Sequence, residues 1–160
     1  MLKNLEETLE IWGEVIADEY KITLKTEGIN ASGKLSNSVK SLFSANGNLY
    51  EVSLQLEDYY KMIEDGRKPT KNGGNGELRR NILNWIRVKP ILPQPYNGKL
   101  PTEQQLAYLI SRKIHRLGYE GKQPLKKSVD KYRSNIVSDI EKALQEDLTA
   151  DVLKILSTMV

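Results

Sequence analysis

The stretch from Asn48 to Pro69 changes its hydrophobic period part-way, and this change constrains the fold more than any other feature of the chain. Its first half alternates apolar and polar residues, which is typical of a half-buried strand. From Asp58 the apolar residues take helical spacing, and Gly66 is placed to end the turn. The apolar positions are Tyr50, Val52, Leu54, Leu56, Tyr59, Met62 and Ile63. The sequence therefore predicts a strand that leads directly into one helical turn, with no recognisable catalytic arrangement in it.

A partner strand is predicted just before this segment, from Gly33 to Ser44. Asn46-Gly47 is a strong signal for a two-residue hairpin turn, because both residues accept positive φ. Such a turn sets the register and places Phe43 opposite Tyr50 and Val39 opposite Leu54. The apolar residues of both strands then share one face. We therefore expect an antiparallel β-hairpin over residues 33–57.

A long amphipathic helix is predicted over residues 2–27, ahead of the hairpin. Its apolar residues recur every three or four positions, and Gly28 is placed to end it. The apolar stripe consists of Leu2, Leu5, Leu9, Trp12, Ile16, Tyr20 and Leu24. We expect this stripe to cover the apolar face of the hairpin, which gives an α+β fold: a long N-terminal helix on a small antiparallel sheet, followed by three or four helices.

Three of the later helices have clear sequence signals. Glu77–Val88 has Leu78, Ile82, Trp85 and Ile86 on one side, so we expect Trp85 in the core; Pro90 ends this helix. Thr102 to Gln105 forms a capping box, and the helix that it starts is expected to bury the following residues and to end at Gly118. Those residues are Leu106, Leu109, Ile110, Ile114 and Leu117.

The last long helix is predicted to begin after Pro124, with a bend or restart near Leu148. Its expected buried residues are Leu125, Val129, Tyr132, Ile136, Ile140 and Leu144. A second apolar group lies near its end, at Val152, Leu153, Ile155, Leu156 and Met159. A small domain has little core left to bury this group. We therefore expect one domain over residues 1–145 and a helical extension, a candidate interaction segment, over residues 146–160.

Charge is segregated along the chain although the net charge is only +3. Residues 61–133 contain seventeen Lys or Arg against six Asp or Glu, whereas residues 1–27 contain seven acidic residues against three Lys. The tail from Ser134 is acidic again. Such a pattern is typical of solvated helix faces, or of a basic middle that faces nucleic acid or the acidic end of a neighbouring subunit. The N-terminus lacks a signal-peptide pattern and no apolar run is long enough for a transmembrane helix, so we expect a soluble protein without membrane partners.

The residues needed for catalysis or metal binding do not form a recognisable pattern. The chain has no cysteine and a single histidine, His115, which lies between cationic residues on a predicted helix. Glu64 and Asp65 are adjacent, and neighbouring side chains on a helical turn point apart, which argues against a shared-proton pair. We therefore expect a protein that is not an enzyme and that uses no cofactor or metal.

Several motifs follow one another in a defined order along the chain. A Tyr at the end of a strand leads into a short aromatic–aliphatic–Glu-x-Gly turn, Tyr59 to Gly66. A variable loop and an Ile-x-x-Trp-Ile helix centre follow, here Ile82 to Ile86. Next come a Thr-then-Gln helix from Thr102 to Gly118 and a Pro-Leu entry to the last helix at Pro124. This order resembles the tail-completion, or neck, proteins of tailed bacteriophages, and the resemblance covers about residues 32–145.

The resemblance implies a structural virion protein that forms a six- or twelve-fold homo-oligomeric ring at the portal–tail junction. Its partners would be the portal or connector, tail proteins, and DNA that passes through the channel without sequence-specific recognition. Assembly would take place in the host cytoplasm. Such a protein needs exposed cations and apolar residues at its contacts. The expected interface residues are Arg67, Lys68, Lys71, Arg79, Arg80, Leu153 and Leu156.

Two other functions are compatible with the residues. The basic middle is a feature of nucleic-acid-binding modules, although no motif with a recognition helix is evident. A small nuclease would also need a basic surface, together with several separated carboxylates. In the basic middle these would have to come from Glu64, Asp65, Glu77, Glu103, Glu120 and Asp130.

Overall fold

The computed structural model describes residues 2–29, 31–47, 49–70, 76–89, 91, 93–95 and 98–158. It has mixed α and β structure, as the sequence predicts. The elements in chain order are α1 Lys3–Thr26, α2 Lys34–Ser38, β1 Lys40–Asn46, β2 Leu49–Gln55, α3 Tyr60–Glu64, β3 Gly66–Arg67, α4 Glu77–Val88, α5 Glu103–Leu117, β4 Tyr119–Glu120 and α6 Pro124–Thr158.

Helix α1 is the centre of the larger part of the molecule, which we call the body: α1, α2, the β1–β2 hairpin, α3 and α6. Its main core cluster contains Ala17, Tyr20 and Leu24 of α1, with Leu35 and Val39. Leu54 of the hairpin and Leu125 of α6 pack against this cluster. The helix lies close to the sheet at Gly13, where a Cβ atom would lie 2.8 Å from Val52 Cγ1. The predicted packing of the first helix on the hairpin is therefore confirmed.

The hairpin forms as predicted, but its register is shifted by two residues. Phe43 pairs with Val52, and Ser41 pairs with Leu54. The residues between the strands are Gly47 and Asn48, so the prediction of Asn46-Gly47 as the turn was wrong; Asn48 lies outside the described residues. Because the shift is even, the apolar residues of both strands still share one face.

The segment before β1 was predicted as strand but forms the short helix α2. Leu35 and Val39, four residues apart, are both buried in the main core. Positions i and i+4 lie on the same face of a helix. A helical turn therefore buries both side chains. The prediction that Val39 pairs with Leu54 was wrong, since Leu54 pairs with Ser41.

Helices α4 and α5 pack on each other and form a second unit, which we call the arm. Their core cluster contains Ile82, Ile86 and Ala107 and shares no residue with the body cluster. The bounds of α4 match the prediction, and the Thr102–Gln105 capping box is present at the start of α5. Three residues predicted as buried are exposed instead: Trp85 at 40 %, Leu109 at 54 % and Leu117 at 55 %. The arm has only two layers, so its helices can bury just their facing sides.

A narrow joint made of backbone connects the arm to the body. Strands β3 and β4 pair antiparallel, with Gly66 opposite Glu120 and Arg67 opposite Tyr119. A Cβ atom at Gly66 would collide with the backbone of Tyr119 and Gly121, and one at Gly118 would collide with the carbonyl of Arg67. Both glycines also have positive φ. The joint therefore requires glycine for close approach as well as for conformation.

Helix α6 runs without interruption from Pro124 to Thr158, so the predicted restart near Leu148 was wrong. Its N-terminus is capped from α3, because the Glu64 carboxylate accepts hydrogen bonds from the backbone amides of Leu125 and Lys126 at 3.0 and 2.9 Å. Farther along, Asp147 of α6 caps α1 in the same way. It accepts from the backbone amides of Asn4 and Leu5 at 3.1 and 2.9 Å.

Candidate interaction surfaces

The described residues contain no group of three or more His, Asp or Glu side chains that could hold a metal ion. His115 is engaged structurally: its Nδ1 atom lies 2.6 Å from the hydroxyl of Thr70, and its backbone carbonyl accepts from the Thr70 amide at 2.8 Å. These two contacts anchor the chain that leaves β3. The other candidates for function are exposed surfaces that carry unpaired charges or apolar side chains.

The arm carries a basic surface. Between residues 76 and 118 the chain contains eight Lys or Arg and two Glu. Arg87 pairs with Glu103 at 3.1 Å, and Lys89 donates to the backbone carbonyl of Gly28. Within the part of the chain that the structure describes, no ion pair engages Arg80, Arg112, Lys113 or Arg116. All four of these residues are exposed.

Aromatic and aliphatic side chains are interleaved with these cations. The Arg79 guanidinium lies 5.6 Å from the centre of the Tyr108 ring, which is a cation–π distance. Tyr108 and Leu109 are about half exposed on α5, and Trp85 is exposed on α4. A surface that combines arginine with exposed aromatic and leucine side chains has the composition of a protein interface core.

The outer face of α1 has the opposite charge. Glu7, Glu10, Glu14 and Asp18 are exposed and recur every three or four residues, so they form one stripe along the helix. Glu7 and Asp18 are paired locally with Lys3 and Lys21. Glu10 and Glu14 have no ion-pair partner among the described residues, and Ile11 beside them is 60 % exposed.

The end of α6 carries an exposed apolar surface. Its members are Leu148, Val152, Leu153, Ile155 and Leu156, each between 54 and 60 % exposed. Asp147 faces α1, and at about 100° per residue Val152 lies about 140° around the helix from it. The apolar residues therefore point largely away from the body.

The expected interface residues fall on three different parts of the molecule. Arg67 lies in β3 at the joint and Lys68 is exposed just after it, whereas Arg79 and Arg80 belong to the arm. Leu153 and Leu156 belong to the apolar end of α6. Lys71 lies outside the described residues. Arg79 and Arg80 belong to the same unit as the cations of α5, and Arg79 contacts Tyr108 of that helix, but Leu153 and Leu156 lie on α6.

The sequence predicted a basic middle and acidic ends, but it did not single out Arg112 and Arg116 of α5 or Glu10 and Glu14 of α1 as residues that share one helix face. The available signal was the spacing: like charges at i and i+4 lie side by side and repel each other. Two such pairs of opposite sign in one chain indicate surfaces that a partner can neutralise.

Burial raises the pKa of tyrosines in the core and at the joint. Burial, followed by the nearby Glu64, Tyr59 and Tyr60, raises the pKa of Tyr20 to about 12. Tyr20 is fully buried, and its hydroxyl has no hydrogen-bond partner among the described residues. Burial likewise raises the pKa of Tyr119 at the joint, against the opposing charge of Arg67. Both shifts follow from packing.

Comparison of the chain with protein-family models, with curated proteins and with solved structures found no match. Among the described residues, no helix has both the length and the apolar character needed to cross a membrane.

Proposed function

We propose that this protein is a non-enzymatic ring component of the neck of a tailed bacteriophage, where its subunits join head to tail between portal and tail. The observation that carries the proposal is the placement of opposite charges on two separate units of one chain, acidic on α1 and basic on the arm. Contacts between different surfaces of identical subunits are heterologous, and they close into rings when the rotation permits.

Two further features support this function. The motif order from Tyr59 to Leu125 resembles the neck family, and the described part of the molecule combines an exposed apolar helix end with a narrow joint that carries the arm. A ring subunit needs one surface for its neighbour in the ring and another for the proteins above and below it. The arm and the end of α6 are separate surfaces of this kind.

The proposal is tested by making phage particles that lack this protein. We expect heads that package DNA but that neither retain it nor attach tails, and we expect the purified wild-type protein to restore infectivity when it is added to such heads. Electron microscopy and plaque counts measure both results. Infectious particles without the protein, or metal-dependent cleavage of DNA by the purified chain, would contradict the proposal.

A nucleic-acid-binding module is the second candidate, and the cation-rich face with Tyr108 and Arg79 favours it. Arginine and aromatic side chains on one face can contact phosphates and stack on bases. This function predicts binding of a DNA duplex by the purified chain that weakens steeply as salt rises. The neck function does not require the free protein to bind DNA.

A further inference from the structure

We propose that the basic outer face of α5 in one copy docks on the acidic outer face of α1 in the next copy. The basic face is formed by Arg112 and Arg116 with Leu109 and Lys113, and the acidic face by Glu10 and Glu14 with Ile11. The proposal deepens the neck function and rests on it for the ring, because it assigns the two surfaces that join neighbouring subunits.

The first feature that supports this contact is that the charges of the two faces lack ion-pair partners within the described part of the chain. Glu10, Glu14, Arg112 and Arg116 are exposed, and none of them forms an ion pair with another described residue. Each face includes a pair of like charges one helical turn apart, Glu10 with Glu14 and Arg112 with Arg116, which is unfavourable in the free chain. A partner of opposite charge relieves both repulsions at once.

The spacing of the charges also matches. Glu10 and Glu14 are four residues apart on α1, and Arg112 and Arg116 are four residues apart on α5. Four residues of α-helix rise about 6 Å. Two helices packed side by side can therefore place both carboxylates opposite both guanidinium groups. Arginine suits this contact because its planar group binds a carboxylate through two hydrogen bonds.

An exposed apolar residue accompanies each charged pair. Ile11 is 60 % exposed beside Glu10 and Glu14, and Leu109 is 54 % exposed one turn before Arg112 and Lys113. Contact between the two faces would remove both side chains from water. This arrangement favours a protein partner over nucleic acid, because an exposed leucine gains nothing from a phosphate backbone.

Charge reversal on each face provides the test. The first variant carries Arg112→Glu and Arg116→Glu, the second carries Glu10→Lys and Glu14→Lys, and the third carries all four changes. Self-association of the full chain is measured by sedimentation over a concentration series, at low and at high salt. All substituted positions are exposed, so circular dichroism and melting temperature should stay close to those of the wild type.

We expect the wild-type chain to associate at low salt and to dissociate as salt rises. Each two-residue variant should associate at least about tenfold more weakly, because attractive contacts become repulsive. A mixture of the first two variants, and the four-residue variant alone, should recover association. The matched control for the arginine changes is Lys40→Glu with Lys154→Glu, and the control for the glutamate changes is Glu141→Lys with Asp151→Lys; both should behave as wild type.

Three results would overturn the inference. The first is a wild-type chain that stays monomeric at about millimolar concentration and low salt, where surface charges are least screened. The second is a four-residue variant that is folded but does not recover association. The third is a first variant that loses binding to a 30-base-pair DNA duplex while its self-association is unchanged, since the α5 face would then serve nucleic acid.

The inference and the neck function can fail separately. A chain that associates through these faces but is absent from phage particles would keep the docking surface and remove the neck function. If the protein is present in particles and all three variants are incorporated as well as the wild type, the neck function is kept and the docking surface is removed.

Discussion

The side chain of Asp147 links the C-terminal half of α6 to the start of α1. Helix α1 begins without a side-chain cap of its own, and Asp147 of α6 accepts hydrogen bonds from two of its first amides. Burial alone would raise the pKa of this carboxyl group, but the hydrogen bonds from Leu5 and Asn4 outweigh it and lower the pKa. The folded state therefore favours the ionised form.

Replacement of Asp147 by Asn should lower the melting temperature by about 3–6 °C at neutral pH, because a carboxylate interacts better with a helix N-terminus than an amide does. Since the folded pKa is depressed, this stabilisation is present above the unfolded pKa near 4 and is lost as pH falls through the lower folded value. The difference between wild type and variant should thus shrink below about pH 4. Asp151→Asn, one turn farther along α6 and exposed, is the control and should change nothing. A difference that stays constant down to pH 2 would contradict this account.

The residues that the sequence could not place are those whose surroundings depend on the tertiary structure. The apolar stripe of α1 was predictable from helical spacing, because the same face of this helix packs on both the hairpin and α6. Trp85 was not, since its apolar neighbours in the sequence face α5 while its own side chain is left outside the two-helix arm. The capping roles of Glu64 and Asp147 were not predicted, because nothing local indicates that each carboxylate caps a helix distant in sequence.

Period and turn signals predicted the type of the longer helices and of the hairpin strands, but not the register of the hairpin. A strand pattern repeats every two residues, so a shift of two residues leaves every side chain on its predicted face. The pattern therefore could not distinguish Asn46-Gly47 from Gly47-Asn48 as the turn. Lys34–Ser38 was assigned to the wrong element because a five-residue helix is shorter than the window in which helical periodicity can be recognised.

The separate core of the arm leads to a prediction about Ala107. This residue is fully buried between α4 and α5, so Ala107→Leu should overpack the arm and destabilise it by about 1–3 kcal/mol. Because the two clusters share no residue, hydrogen exchange should increase in α4 and α5 while α1 and α6 keep their protection. Gln104→Ala, at an exposed position of the same helix, should leave exchange unchanged. An equal increase throughout the chain would mean that arm and body unfold as one unit.

At the scale of the whole molecule, the sequence predicted the order of helices and the hairpin but not the division into body and arm. The joint depends on backbone contacts among Gly66, Gly118 and Gly121, and their partners come from distant parts of the chain. A single sequence shows the glycines but not what approaches them. The candidate surfaces were predictable in composition, as a basic middle and an apolar end, but their positions on different faces required the structure.

The apolar end of α6 provides the last prediction. Leu153 and Leu156 are 60 % and 55 % exposed, so replacing both with Ser should change the free energy of unfolding by less than about 0.5 kcal/mol for each residue. If the neck function is correct, this surface meets portal or tail proteins, and the variant should fold normally yet fail to restore infectivity to heads that lack the protein. The matched control is Val137→Ser, at a half-exposed position earlier on α6, which should restore infectivity fully. A large drop in the melting temperature of the double variant would instead show that these leucines stabilise the fold. Normal infectivity with the double variant would show that the end of α6 is not the contact with portal or tail proteins. The arm would then be the next candidate for that contact.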